Sequence, residues 1–471
     1  MTDLCWMSAR QLAGAVARRE ASVREVVEAH LRQIDRQNPH VNAVVTLDGE
    51  RALEDAAAAD AALAAGTAGG AIFGLPIAVK DLVETRGMRT TYGSSIFRDH
   101  VPDFDALLVQ RMRAGGAIIV GKTNTPEFGA GSQTFNAVFG ATRNPWDLAK
   151  TCGGSSGGGA VAVACGMLPF ADGSDLGGSL RNPASFCNVV GFRPSPGRVP
   201  SWPSAVPWCP FAVDGPLARS VDDVALLLSV LAGPDARCPF ALDTPGARFD
   251  VALDHELSGT RVAFSADFGC LPVDPRVRTV IAQAPSTLRQ LGCIVEDACP
   301  DFAGADVAFN AWRAWMFEQA WGTLVAAHRS EVKDTVVWNV EQGLRLTGPE
   351  LAAAERDRAA LGARVAEFMQ RFDFLALPVS QVPPFDIEQP YPTEIDGTPM
   401  HTYIEWMRSC SWITALTVPA ISVPCGFTDD GLPVGVQLVG RPRDDLGVLR
   451  LAHAFEQATQ HGASHPPVAT A

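Results

Sequence analysis

The sequence predicts an α/β fold, a large, mixed, mostly parallel twisted sheet covered by helices on both faces. Three observations predict it. Short apolar strand patterns alternate with helical ones from residue 74 onward, the signature of layered α/β architecture. The 471 residues are 47% hydrophobic and only 19% charged, which suits a chain with a substantial core and rules out bulk disorder. The longest apolar run, Ala160 to Ala171, is interrupted by Gly166 and Pro169 and is too short to span a membrane. At roughly 150 residues per domain the length suggests about three domains, but it equally permits one large α/β unit.

Residues 8 to 38 read as two helices. Ser8 caps the first, with Leu12 and Val16 four apart, and Ser22-Val23-Arg24-Glu25 is a capping box for the second. Val27, Leu31 and Ile34 follow at helical spacing, and Pro39 is expected to stop that helix. Val41 to Leu47 reads as a strand and the alanine-rich stretch 50 to 65 as a helix ended by Gly66. Gly74 to Lys80 reads as a buried strand, Asp105 to Ala114 as a helix, and Ala117 to Val120 as a second buried strand. Glycine and serine crowd at 153–159 and 173–179 around the small apolar run Ala160 to Met167. A flexible linker would be polar throughout, so this stretch is packed and sharply turned. Eight of the ten tryptophans fall between 202 and 412, and the tail from Gly462 is expected to fray.

Charge and cysteine usage narrow the function. A net charge of −14 disfavours binding to nucleic acid through phosphates and to anionic membrane surfaces. Met1 to Trp6 has neither a basic start nor an apolar core, unlike a signal peptide. The eleven cysteines are scattered without Cys-x-x-Cys, which fits reduced cytoplasmic thiols rather than disulfides or a metal site. Only four lysines, at 80, 122, 150 and 333, stand against 34 arginines. A lysine inside an apolar strand therefore raises the question of why arginine would not serve, and the available answer is that lysine can lose its proton.

Two formal motif matches fail on physics. Gly116 to Thr123 fits G-x-x-x-x-G-K-T, but its middle is Ala-Ile-Ile-Val, a strand that cannot wrap a phosphate. Gly153-Gly154-Ser155-Ser156-Gly157 fits the nucleophile elbow G-x-S-x-G, but no later histidine sits in a distinctive motif. Gly173-Ser174-Asp175-Leu176-Gly177-Gly178-Ser179 is stronger. Such a turn aims several backbone N–H groups at one point, as an oxyanion requires, and ends on a serine. That serine needs a base, and Lys80, desolvated at the end of an apolar strand, is the candidate, with Ser155 as a relay between them.

These segments resemble the amidase signature family. The resemblance is carried by Gly153 to Gly158 followed by Gly173 to Ala184, by the lysine strand Gly74 to Asp81, and by Gly121-Lys122-Thr123-Asn124 and Arg143-Asn144-Pro145-Trp146. Pro419 to Pro424 and Gly431 to Gln437 add to it. It covers roughly residues 8–235 and 410–458. The resemblance implies a single domain with N-terminal helices (1–70), signature core (71–235), a variable substrate-covering region (236–409), a return to the core sheet (410–460) and a tail (461–471). It implies Ser179 as nucleophile, Ser155 as the bridging serine after a cis peptide bond, and Lys80 as base. Leu176, Gly177 and Gly178, with Ser179, match the oxyanion donors, and Asp175 and Arg181 match residues holding the turn. Lys122 is assigned a structural hydrogen bond. Gly159, Leu176 and Phe192-Arg193-Pro194-Ser195 depart from the common pattern, outside the triad.

The resulting expectation is an amidohydrolase that cleaves hydrophobic or aryl amides, with carbamates and esters as neighbouring chemistry, through an acyl-enzyme and without metal or cofactor. Trp202 and Trp208 are expected in the substrate pocket. The expected partner is a small-molecule amide, with no nucleic acid and no membrane, and a homodimer is the default assembly. The alternative is the glutaminase component of a tRNA-dependent amidotransferase, its A subunit. A glutamine site needs charged groups for the amino-acid ends, and Pro200 to Phe211 carries none.

Overall fold

The structure is a computed structural model and describes residues 4–470. Met1–Asp3, the start of the stretch read for a signal peptide, and Ala471 lie outside the described residues. Helix α1 (Ala9–Ala17) and α2 (Val23–Val41) both start at capping boxes, on Ser8 with Gln11 and on Ser22 with Glu25. Pro39 does not stop α2. The helix runs on to Val41 and ends where Asn42 takes a left-handed conformation, φ 53°. The next strand accordingly starts later than expected, β1 (Val44–Leu47), followed by α3 (Gly49–Ala64), β2 (Pro76–Lys80), α4 (Leu107–Ala114) and β3 (Ile118–Thr123). The P-loop look-alike is thus strand, as its apolar middle requires.

These three strands form a small sheet of order β1-β3-β2, in which β2 runs parallel to β3 and β1 antiparallel. A two-residue ladder, β4 (Phe135–Asn136) with β5 (Gly140–Ala141), precedes the central helix α5 (Gly157–Ala164). Then come β6 (Phe170–Asp175), α6 (Arg181–Cys187), β7 (Val190–Arg193), β8 (Val213–Ala218) and α7 (Val221–Leu231). The variable region holds β9 (Arg261–Phe264), α8 (Pro275–Ile281), α9 (Ala284–Gln290) and β10 (Ile294–Asp297). The long helices α10 (Ala305–His328), α11 (Asp334–Arg345) and α12 (Gly348–Phe368) follow. After β11 (Phe374–Pro378) and the ladder β12 (Glu394–Ile395) with β13 (Thr398–Pro399), α13 (Arg408–Ala415) leads to β14 (Ala420–Phe427), β15 (Pro433–Val439) and α14 (Asp445–Thr459).

The large sheet has eight strands in the order β10-β9-β11-β15-β14-β7-β8-β6. It is mixed, as expected, but its balance corrects the expectation of a mostly parallel sheet. Only β10/β9 and β9/β11 are parallel pairs, and the other neighbours are antiparallel. Helices separate many of the strands in sequence, which reads as parallel crossovers, yet β14 and β15 return from the far end of the chain as a hairpin into the sheet's middle. The tail is also more ordered than expected. His465 stacks on Trp6 at 3.7 Å, and the carbonyl of His461 accepts from Asn188. Among the described residues no helix is long and apolar enough to cross a membrane, and no group of three His, Cys, Asp or Glu is arranged for a metal ion.

Helix α5 packs between the two sheets, and its glycines are a packing requirement. A Cβ on Gly158 would lie 2.3 Å from the Asn124 nitrogen, and one on Gly157 2.2 Å from Thr134 Oγ1. Only hydrogen fits at Gly158 against the Asn124 backbone, and at Gly157 against a Thr134 hydroxyl already held on Gly153 O.

Candidate active site

The site lies at the seam where β2, an edge of the small sheet, meets β6, an edge of the large one. Asp172 on β6 accepts the backbone N–H of Lys80 on β2, at 3.0 and 3.3 Å to its two oxygens. That bond joins two strand edges that carry no ladder between them. The Lys80 side chain is 1% exposed. Its Nζ is ringed by three hydroxyls, Ser155 at 2.8 Å, Ser156 at 2.9 Å and Ser174 at 3.0 Å. An ammonium donates to all three. A neutral amine keeps two N–H groups and a lone pair, so one hydroxyl must turn and donate to it. Burial pushes the Lys80 amine down to about 7, against the pull of Asp172, Asp214 and Asp175. Burial likewise pushes Asp172 up to about 6, opposed by the Lys80 N–H and Lys122.

The Gly154–Ser155 peptide is cis. The carbonyls around it are both held. Ser132 Oγ donates to Gly154 O at 2.7 Å and Thr134 Oγ1 to Gly153 O at 2.8 Å. The strap carrying Ser132 also covers Ser155, because a Cβ on Gly129 would lie 3.6 Å from Ser155 Oγ. The strap is fixed in turn from outside, where Phe128 stacks on Trp321 at 4.1 Å and Glu127 accepts the N–H of Lys333 at 2.7 Å. Ser132, Thr134, Ser156, Ser174 and Asp172 were not singled out from the sequence. Serines and threonines in such numbers carry no pattern until the strands are paired.

Ser179 lies partly exposed at the end of the glycine turn, and its carbonyl accepts from the N–H of Ser156 at 3.2 Å. That bond couples the turn directly to the segment carrying Ser155. Asp175 holds the turn from inside. Its carboxylate takes the N–H of Gly178 at 2.9 Å and of Leu180 at 3.2 Å, and ion-pairs with Arg181 and Arg193. Burial works against this carboxylate, yet Arg181 and Arg193 together with the Gly178 N–H hold it well below the usual carboxylate range. The expectation for Gly178 therefore needs correction. With φ 113° its N–H points back to Asp175, so it supports the turn instead of facing an oxyanion. The N–H groups of Leu176, Gly177 and Ser179 have no hydrogen-bond partner among the described residues. Lys122 plays the structural part expected, donating to Val83 O, Thr85 Oγ1 and Thr90 Oγ1.

Trp202 and Trp208 do not join this constellation. Trp208 is 70% exposed and packs edge-on against Phe240, and Trp202 packs on Phe104 beneath the guanidinium of Arg237. The segment around them stays near the site, with Ser201 donating to Asp214 opposite Ser174 and Phe211 stacked with Phe309, but these two rings pack on Phe104 and Phe240 instead. The apolar wall comes instead from α10 and the strap. A Cβ on Gly177 would meet the Phe309 ring at 3.0 Å. Leu176 bridges two aromatic clusters, one with Phe211, Phe309 and Trp406, the other with Phe128 and Phe317.

A family model described as Amidase matches residues 25–449. The chain belongs to the amidase signature family. It is an amide-hydrolysing enzyme, and this amidase is similar over its whole length to two kinds of relative. An acylamidase of Rhodococcus erythropolis is 35% identical over 459 residues, 96% of each chain. The A subunit of the glutamyl-tRNA(Gln) amidotransferase of Moorella thermoacetica is 33% identical over 495 residues, all of both chains. The solved structure of a bacterial aryl acylamidase, one of the amidase signature enzymes, superposes with a TM-score of 0.91 at 30% identity, covering 97% of this chain and 98% of that one.

Proposed function

We propose that this amidase is a free-standing hydrolase of hydrophobic and aryl amides, acting through Lys80, Ser155 and Ser179. The observation that carries the proposal is the buried Lys80 amine, pushed to about 7 and bonded to Ser155 at 2.8 Å. In the proposed reaction neutral Lys80 takes the Ser155 proton while Ser155 takes the Ser179 proton. Ser179 Oγ bonds to the amide carbon, and the N–H groups of Leu176, Gly177 and Ser179 receive the oxyanion. When the intermediate collapses the C–N bond breaks, and the proton returns through the same relay to the departing amine. Water then repeats the sequence on the acyl-enzyme and releases the acid. Preorganised donors of this kind are worth roughly 10²–10³ in rate each, and the relay is a serine–lysine form of triad logic that uses no metal or cofactor. The apolar wall of Leu176, Phe309 and Phe317 supports an aryl or hydrophobic substrate, with carbamates and esters as related chemistry. The proposal includes a cytoplasmic location and a homodimer.

Likeness to the glutamyl-tRNA(Gln) amidotransferase component supports a second reading, a glutaminase working inside a complex. One experiment separates them. Purified protein alone is given an acyl anilide, a short aliphatic amide, an aryl carbamate and glutamine. Aniline release without glutaminase activity supports the proposal. Glutaminase activity, or silence on the whole panel, supports the second reading. Ser179→Ala must abolish turnover, and Lys80→Arg must do so too because arginine stays protonated.

A further inference from the structure

Four arginines are buried among the described residues: Arg181, Arg193, Arg198 and Arg313. Three of them contact a carboxylate, Arg181 and Arg193 that of Asp175 and Arg198 that of Asp445. Arg313, 4% exposed, has no carboxylate among the described residues within salt-bridge distance. A buried charge without a counter-charge is costly, and proteins normally supply one.

Its neighbours position this cation instead of neutralising it. Nε donates to Asn339 Oδ1 at 3.1 Å and Nη2 to the Tyr403 hydroxyl at 2.8 Å. Asn339 also donates to that hydroxyl, closing a three-membered polar cluster. The guanidinium lies over the Phe317 ring at 4.6 Å and near that of Tyr403 at 5.7 Å. Nη1 makes no hydrogen bond with a described residue and is not among the fully enclosed polar atoms.

The cation also sits beside the reaction centre. Phe309, Arg313 and Phe317 are spaced by four on α10 and so share one face of the helix. Phe309 touches the Gly177 position of the turn, and Phe317 clusters with Leu176 and Phe128. Arg313 lies between them. On its other side the Tyr403 ring reaches 3.9 Å from a Cβ built on Gly131, in the strap whose Ser132 holds Gly154.

We infer that Arg313 is an anion subsite beside the catalytic turn, and that the preferred substrates are amides carrying a carboxylate set off from the scissile bond by a short apolar spacer. This rests on the hydrolase reading above and narrows its substrate class. The incoming carboxylate supplies the missing counter-charge to Nη1 while the spacer lies along Phe309 and Leu176. A planar guanidinium already fixed at two corners suits carboxylate recognition.

Aniline release from N-phenylsuccinamic and N-phenylglutaramic acids is compared at pH 8 with release from their neutral primary-amide counterparts. The inference expects at least one acid to exceed its neutral counterpart in kcat/KM by about tenfold or more, chiefly through KM. Arg313→Gln should bring that ratio toward one, with Arg313→Lys restoring part of it. Neutral compounds turned over as well as the acids by the wild type, or a preference that survives Arg313→Gln, overturns it. Calorimetric binding of glutarate against glutaramide to Ser179→Ala needs neither turnover nor an Arg313 variant. Tighter glutarate supports the subsite, and equal or weaker binding refutes it. Silence on acetanilide and all anilides with glutarate still bound refutes the hydrolase reading alone.

Discussion

Replacing Ser174 by alanine tests whether Lys80 is the base, because the expected change has an unusual sign. Ser174 Oγ accepts from Lys80 Nζ at 3.0 Å and makes no other hydrogen bond among the described residues. An acceptor there favours the charged amine. Hydrogen bonds to charged groups are worth about 1.5–3 kcal/mol, and 1.36 kcal/mol is one pH unit, so their loss moves a pKa by about 1–2 units. Ser174 is partly exposed, which places the effect near the lower end. In the wild type kcat/KM should rise with pH through the lysine's value of about 7 and then level off, since the neutral amine is the active form. In Ser174→Ala the rising limb should sit near pH 6, roughly one unit lower, with a modestly lower plateau. At pH 6 the variant would then run at about half its plateau and the wild type at about a tenth of its own. Asp172, pushed up to about 6, titrates alongside, so each midpoint belongs to the coupled pair. The assay is aniline release at low substrate from pH 5 to 9. A limb that stays put or moves upward in the variant, or a wild-type profile flat across this range, would refute the assignment of the base.

The glycine turn predicts two unlike alanine variants. Gly177→Ala meets only a ring edge at 3.0 Å and should fold but raise KM, whereas Gly178→Ala combines φ 113° with a Cβ contact of 2.6 Å to Cys410 and should lose about 1–3 kcal/mol of stability, visible as a lower Tm. Arg181→Met leaves the buried Asp175 carboxylate to Arg193 and two backbone N–H groups and should cost about 1–3 kcal/mol in urea unfolding; an unchanged midpoint would deny the Asp175–Arg181 pair a structural role. Burial raises Glu456 to about 8, so its contribution to stability is full below the unfolded value of about 4.3 and falls as pH rises through 8. Glu456→Gln, which mimics the protonated form bonded to the Val221 N–H, should raise Tm more at pH 9 than at pH 6.

Local signals in the sequence were largely sufficient for the elements near the site. Capping boxes at Ser8 and Ser22 start helices where expected, and the apolar middle of Gly116 to Thr123 forms strand. Long-range pairing was less legible. Nothing local says that residues 420–439 enter the sheet between β7 and β11, which is why the sheet is more antiparallel than the alternation of elements implies. Of the site residues, the joint spacing of Lys80, Ser155 and the glycine turn was legible through the family resemblance. The capture of the Gly178 N–H by Asp175 depends on a backbone angle no spacing encodes. Trp202 and Trp208 misled because aromatic content measures packing demand, and only the fold decides which side of a wall a ring occupies. The rings that pack against the glycine turn, Phe309 at the Gly177 position and Phe317 with Leu176, come from a helix more than a hundred residues later.

The bond from Lys80 to Asp172 makes catalysis a report on assembly. The amine belongs to one sheet, its three hydroxyls to the turn leading into α5 and to the other sheet, so neither sheet alone holds the proposed base together with its relay. During refolding, recovery of hydrolysis should therefore trail recovery of helical signal and of tryptophan burial, because it waits for the two edges to dock. For the same reason, mild denaturant that parts the seam should silence the enzyme while most of the chain remains folded.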